Sequence, residues 1–216
     1  MGKVVAIDGP AGAGKSTVSR LLAERLGFRL LDTGALYRAV GLFLRRKGVS
    51  CELSDEALEK ELNGVAVGFS GGKVVLNGED VSTAIRTIEA GKDASVFSAR
   101  KPVRAFLLQM QRDAGEQENI VAEGRDMTTV VFPNAWSKFY LDATEIGRAE
   151  RRFRQMQEKG TPIAMEDALR DIRERDMRDS RRDIAPLRRA DDAIYLDSTH
   201  LSIEQVIEEM LAEIGQ

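Results

Sequence analysis

Gly9-Pro10-Ala11-Gly12-Ala13-Gly14-Lys15-Ser16, directly after the apolar run Val4-Val5-Ala6-Ile7, decides the reading of this chain. The octapeptide fits G-x-x-x-x-G-K-[ST], a loop that cradles phosphate. Its glycines admit backbone conformations that a Cβ blocks, so successive N–H groups turn toward one anion. The helix that follows adds N-terminal donors and its dipole. In such a loop Lys15 reaches the β- and γ-phosphates of a nucleoside triphosphate, and the Ser16 hydroxyl ligates Mg²⁺. The alternative is a Gly-rich turn with a chance Lys-Ser, and the flanks argue against it. Residues 16–26 carry Val18, Leu21, Leu22 and Leu26 on one helical face, and Gly27 stands at the C-terminal cap position. The expected nucleotide-binding set is Gly9, Pro10, Ala11, Gly12, Ala13, Gly14, Lys15, Ser16 and Thr17.

Outward from the loop, strands and helices alternate, the pattern of a parallel sheet wrapped by helices. Residues 28–31 read as a strand ending at Asp32, and 34–47 as a helix with Leu36, Ala39, Val40, Phe43 and Leu44 on one face. Ser54 caps a short helix that extends to Leu62. Then the rhythm breaks. Residues 65–78, with Gly71-Gly72 and Asn77-Gly78, read as a hairpin followed by a second tight turn, an antiparallel insert in an α/β chain. From 81 to 113 the pattern is helical. Residues 120–123, 139–142 and 193–196 are further core strands. Ser202 and Gln205 form a capping box for a last helix with Ile203, Val206, Ile207, Met210, Leu211 and Ile214 at core spacing.

Composition excludes several chemistries. With 216 residues and a formal net charge of −3, the chain has enough length for a substantial core and no global field that points to nucleic acid or a membrane surface. No stretch approaches the ~20 apolar residues of a membrane span, and no basic-then-apolar leader opens the sequence. The expectation is a cytoplasmic monomer with no nucleic-acid or membrane partner. A single Cys51 leaves no internal disulfide and no cysteine zinc site; a single His200 argues against a histidine-based triad.

Arginine is the second signal. From Arg148 to Arg189 there are twelve arginines against nine acids, in two expected helices and the loops beside them. A charge-rich helix is ordinarily a solvated face laced with i,i+4 pairs. Beside a phosphate loop it has a second reading. Planar guanidinium forks bind phosphoryl oxygens bidentately, and a hinged arginine lid supplies that charge while shutting out water. Gly160-Thr161-Pro162 reads as its tip. Three further motifs stand where strands end, the edge at which parallel sheets bind ligands. They are Asp32-Thr33-Gly34-Ala35-Leu36-Tyr37-Arg38, Glu123-Gly124-Arg125-Asp126 and Asp197-Ser198-Thr199.

These stretches, with Thr129-Val130-Val131-Phe132-Pro133, Glu174-Arg175-Asp176, Asp179, Arg182 and Ala185-Pro186-Leu187, follow one another in an order that resembles the bacterial-type cytidylate kinases. The resemblance covers nearly the whole chain. It implies a five-stranded parallel P-loop core (1–35, 120–145 and 184–216), a partly β monophosphate-binding insert at about 36–118, and a helical Arg-rich lid at about 148–183. It also implies roles. Arg38, Arg125 and Arg182 look like the clamp on the CMP phosphate, with Thr33 among the substrate contacts. Ser95, Arg104 and Asp126 look like the cytosine readers: a carboxylate accepts from the cytosine amino group, while Arg and Ser donate to its O2 and N3. Uracil presents a carbonyl where cytosine has that amino group, so Asp126 disfavours it. Arg175 and Asp179 look like ribose and phosphate contacts, and Arg151 and Arg152 like lid residues over the transferring phosphoryl. Asp197-Ser198-Thr199 lies where the family places adenine, and Glu123 stands where a carboxylate holds Mg²⁺ through water. One departure is visible: relatives carry Gly where this chain has Thr128, and a positive φ there would strain Thr.

The reaction so implied is direct, in-line transfer of the γ-phosphoryl of ATP to the 5′-phosphate of CMP, and of dCMP, giving CDP or dCDP and ADP in pyrimidine nucleotide metabolism. The acceptor phosphate is already ionised near neutral pH, so catalysis rests on positioning and on Lys15, Mg²⁺ and arginine charge. Two other readings stay open at this point. One is a P-loop kinase for another acceptor, such as UMP, AMP or a small hydroxyl. The other is a non-catalytic nucleotide switch or an RNA-binding module built on the arginine helices, a reading that the acids interleaved there weaken.

Overall fold

The computed structural model of the protein describes residues 2–214. The chain opens with β1 (Val4–Asp8), α1 (Lys15–Leu26) and β2 (Arg29–Asp32). Helices α2 (Thr33–Arg46) and α3 (Asp55–Leu62) precede three short strands, β3 (Val67–Ser70), β4 (Lys73–Leu76) and β5 (Glu79–Asp80). A 3₁₀ turn (Ala84–Arg86) leads to α4 (Ile88–Phe97) and α5 (Lys101–Gln117). Next come β6 (Ile120–Glu123), a π-helical turn (Met127–Val131) and β7 (Ser137–Asp142). The order closes with α6 (Glu145–Glu158), α7 (Met165–Arg181), β8 (Ile194–Asp197) and α8 (Ile203–Glu213). Two compact units result. One comprises the chain up to Leu31 and from Ala114 onward; the other is Asp32–Asp113.

The first unit is built on a five-stranded parallel sheet, as the sequence pattern predicts, and its strands lie in the order β2-β6-β1-β7-β8. Central β1 places Ile7 beside Glu123 on one side and Phe139 on the other. Side chains alternate across a strand. Val5, Ile7, Val121, Phe139, Leu141 and Leu196 therefore share a face, where Val18 and Leu22 of α1 and Val206, Ile207 and Met210 of α8 close over them. Each large side chain removed from water there contributes about 1.5–3 kcal/mol. From β1 the chain moves first to one flank, β2 and β6, then to the other, β7 and β8. The direction of winding reverses at β1, and the C-terminal end of such a strand is where an open sheet receives ligands.

In the second unit α2 packs against α4, the 3₁₀ turn and the three-stranded antiparallel sheet β3-β4-β5. Both hairpin turns have two central residues at positive φ, Gly71 (55°) with Gly72 (77°) and Asn77 (49°) with Gly78 (85°). That is the twist antiparallel strands prefer. Val67, Val74 and Leu76 of the sheet are buried, as are Leu36, Val40 and Leu44 of α2, Ile85 of the 3₁₀ turn and Phe97 of α4.

Several boundaries move by one or two residues, the seventh strand to Ser137–Asp142 and the eighth to Ile194–Asp197 among them, and two of the shifts have a clear local reason. The second strand starts at Arg29, not at 28, because the Phe28 N–H closes α1 by donating to the Ala23 carbonyl at 2.9 Å, with Gly27 at φ 66°. The following helix starts at Thr33, not at 34, because Asp32 caps it, its carboxylate accepting from the Ala35 N–H at 2.9 Å.

Candidate active site

The segment from Gly9 to Ser16 joins the C-terminal end of β1 to α1, at the switch point of the sheet. Gly9 has φ 149°, and a Cβ on it would lie 1.9 Å from the Leu141 carbonyl oxygen. Gly12 has φ 77°, with the Arg148 carbonyl oxygen 3.0 Å from its notional Cβ. Both positions therefore demand glycine. Gly14 precedes α1 with no side-chain cap, and no acid stands in the first turn of that helix. The end of α1 is thus electrically suited to an anion.

Lys15 is buried and folds back on the loop. Its Nζ donates to the carbonyl oxygens of Gly9 and Pro10, each at 2.7 Å. Burial, and then the nearby Arg125 charge, push the ammonium down to about 7, against the pull of Glu123, Asp8 and Asp179. The Ser16 hydroxyl donates to Glu123 Oε2 at 3.1 Å. These two oxygen ligands fit Mg²⁺, which takes one or two protein groups and completes its shell with substrate phosphates and water. Among the described residues no cluster of three or more His, Cys, Asp or Glu offers an all-protein metal cage.

At the end of β6, Arg125 donates through Nε to Asp179 Oδ2 of α7 at 2.8 Å. Burial alone would raise the Asp179 carboxyl; the charges of Arg125, Arg182 and Arg175 bring it below its usual value. Asp126 is buried and ion-paired with Arg182 at 3.5 Å. Arg182 in turn donates through Nε to the Ala185 carbonyl at 2.6 Å. The Leu187 N–H donates to the Asp179 carbonyl at 2.8 Å, so the segment after α7 folds back over its end. The expected site residues Arg125, Asp126, Asp179 and Arg182 are thus brought together as two linked ion pairs.

The arginine helices rest on the phosphate loop itself. Ala11, Ala149 and Ile172 form a small apolar cluster, with Met165 and Leu169 against it. Buried Arg148 donates through Nη1 to the Ala11 carbonyl at 3.0 Å and to Asp176 at 2.5 Å, and through Nε to the Ala143 carbonyl at 3.0 Å. Arg151 donates to the Ala13 carbonyl at 3.1 Å and to Ser198 Oγ at 2.9 Å, so it joins the loop to the Asp197-Ser198-Thr199 segment. Arg152 pairs with Asp171 at 3.0 Å and with Gln155 at 3.1 Å. Arg175 is half-buried, and desolvation lowers its affinity for a proton.

The second unit holds the other expected contacts. Thr33 is buried at the start of α2, and Arg38 reaches the capping Asp32 carboxylate at 3.4 Å. Arg104 of α5 is buried, donates to the Ser98 carbonyl at 3.3 Å and lies 5.7 Å from the Tyr37 ring centroid. The Ser95 hydroxyl of α4 is buried without a hydrogen-bond partner among the described residues, a state that costs free energy unless something else accepts or donates there.

Two supporting residues escape a reading of the sequence. Arg148 disappears into a run of arginines. Asp8 carries one signal, a charge closing an otherwise apolar strand; it is fully buried, and it accepts three hydrogen bonds from Met127 and Thr128. Thr128 does not take a positive φ; among the described non-glycine residues only Asn77 and Ala185 do. The anticipated strain at the departure from the family pattern is absent.

Comparison with known proteins agrees with this architecture. Residues 5–216 match the family model described as cytidylate kinase. A cytidylate kinase of Thermodesulfovibrio yellowstonii is 50% identical over 220 residues, covering 100% of this chain and 99% of that protein. A second, of Thermosipho melanesiensis, is 48% identical, covering 98% of this chain and 96% of that one. Among solved structures, an uncharacterized protein from Eubacterium ventriosum shares the fold at TM-score 0.50 and 14% identity, over 98% of each chain.

Proposed function

The chain belongs to the cytidylate kinase family, and from that premise we propose how its residues divide the work. It is a nucleoside monophosphate kinase that phosphorylates CMP with ATP. In the proposed reading dCMP is also an acceptor, the products are CDP or dCDP and ADP, and the reaction serves pyrimidine nucleotide metabolism in the cytoplasm of a monomeric protein. Among the described residues no helix is long and apolar enough to cross a membrane.

The observation that carries the reading is the buried Asp126–Arg182 pair beside the Arg125–Asp179 pair. A carboxylate that reads a base amino group and guanidinia that hold a phosphate are needed within one nucleotide's reach, and here one short segment supplies both. Residues 9–17 bind the ATP phosphates, with Lys15 on the β- and γ-groups. Arg38, Arg125 and Arg182 clamp the CMP phosphate, Thr33, Arg175 and Asp179 support it, and Ser95, Arg104 and Asp126 read cytosine. The partnerless Ser95 hydroxyl supports that role. Ser16, and Glu123 through water, would hold Mg²⁺, which when bound neutralises phosphate charge. Arg151 and Arg152 belong to the lid, residues 148–183, that closes over the transferring group; residues 36–118 form the monophosphate insert on a core of 1–35, 120–145 and 184–216. Transfer is in line, without a covalent intermediate, and the protein's share is orientation and fixed positive charge.

The test is ADP formation with Mg²⁺-ATP and CMP, dCMP, UMP, AMP, GMP or no acceptor. Fast turnover with CMP and dCMP and slow turnover with UMP is expected. Asp126→Ala should lose the preference for CMP over UMP; full retention of it sinks the assignment of Asp126.

A further inference from the structure

Asp8 is the only charged residue in β1, and none of it is exposed. Its Oδ1 accepts from the Met127 N–H at 2.8 Å. Its Oδ2 accepts from the Thr128 N–H at 2.7 Å and from the Thr128 hydroxyl at 2.6 Å. Two of these donors are backbone groups that any ordinary residue supplies. The third depends on the side chain, which is 1% exposed and held in few rotamers by its branched Cβ.

The position of this carboxylate gives the bonds their meaning. Asp8 immediately precedes Gly9, where the phosphate loop begins. Met127 immediately follows Arg125 and Asp126. The π-helical turn beyond is tied to the same place, since the Val130 and Val131 N–H groups donate to the Asp126 carbonyl at 2.9 and 3.1 Å. One buried carboxylate therefore anchors the root of the nucleotide loop to the segment that presents the base-reading and phosphate-holding side chains. Burial disfavours its charge and neighbouring Asp126 adds repulsion, while each Thr128 and Met127 bond opposes both. A charge so placed depends on every donor it has.

We propose that Thr128 is a positioning residue for CMP recognition: its hydroxyl, acting through Asp8, sets the segment that carries Arg125 and Asp126. This rests on the assignment of those two residues to CMP. The experiment compares wild type with Thr128→Val, which keeps the shape and removes the hydroxyl, and Thr128→Ser, which keeps the hydroxyl. Read out are kcat, KM for CMP and for ATP, the CMP-to-UMP preference and the melting temperature.

Thr128→Val should raise KM for CMP about tenfold, the scale of a partly lost hydrogen bond to a charged group, and narrow the CMP-to-UMP preference. KM for ATP should hold within about twofold, and Thr128→Ser should restore both CMP readouts. A Thr128→Val protein that melts earlier but keeps its KM for CMP and its preference overturns the proposal, as does an equal rise in both KM values. Where Thr128→Val does not fold, Thr128→Ala against Thr128→Ser makes the same comparison. Asp126→Ala runs in parallel. If it keeps the preference for CMP, the underlying base assignment fails; if it loses the preference while Thr128→Val keeps it, only the positioning role fails.

Discussion

Helices α1 and α8 press against the same face of the central sheet, yet they begin in opposite ways. α8 opens with a complete capping box. The Ser202 hydroxyl accepts from the Gln205 N–H at 3.2 Å, and Gln205 Oε1 accepts from the Ser202 N–H at 2.8 Å. α1 opens with Gly14, no side-chain cap and no acid in its first turn, and with a buried lysine where a cap-stabilised helix would carry an acid. Even α7, which also lacks a side-chain cap, has Glu166 and Asp167 in its first turn. Every helix start has the same unsatisfied donors. α8 meets them from its own chain and gains stability. α1 forgoes that gain, and its uncapped positive end is the one suited to phosphate in the proposed reading.

The difference between the two helix starts matters most at Lys15. Lys15→Met should lower kcat by about 10²- to 10³-fold, the loss typical of one preorganised charged donor, with CD spectra unchanged. Steady-state ADP release checks it, and near-normal turnover would remove Lys15 from the phosphate site. A second test sharpens the electrostatic side. The folded pKa of Lys15, about 7, lies below its ordinary 10.5, so between these values the unfolded chain binds more protons. The stability this group contributes therefore rises with pH across that window, by on the order of 2 kcal/mol from pH 7 to 9. Urea midpoints at the two pH values should show that rise in wild type and not in Lys15→Met; equal slopes would mean the ammonium is not desolvated. The smallest effect belongs to α8. Ser202→Ala should cost about 1 kcal/mol of stability, seen as a lower denaturation midpoint, and leave turnover untouched. A loss of activity without a loss of stability there would erase the contrast between the two helix ends.

Much of this was legible along the chain because it is local. The glycine spacing of the phosphate loop, the Ser202–Gln205 box, the paired turn residues 71–72 and 77–78 and the apolar alternation of the core strands each act over a few residues. The one-residue shifts at Arg29 and Thr33 come from cap bonds that compete with the strand and helix patterns for the same backbone groups. Less legible were the contacts that bridge distant stretches. Arg148 is one of twelve arginines in its region, and only its burial against Ala11 and Asp176 separates it from those that face water. The Thr128–Asp8 bonds join positions 120 residues apart, and no local pattern pairs them.

Fold class, the phosphate loop and the order of the motifs were readable along the chain alone. Those rest on backbone conformational preference and on hydrophobic period, which neighbouring residues dictate to one another. The placing of β1 at the centre of the sheet, the pairing of Arg125 with Asp179 and of Asp126 with Arg182, and the carboxylate that ties loop to loop emerge only once the chain is packed. The reason is physical. A buried charge is tolerable only beside the groups that satisfy it, and which groups those are is settled when remote strands and turns are packed together.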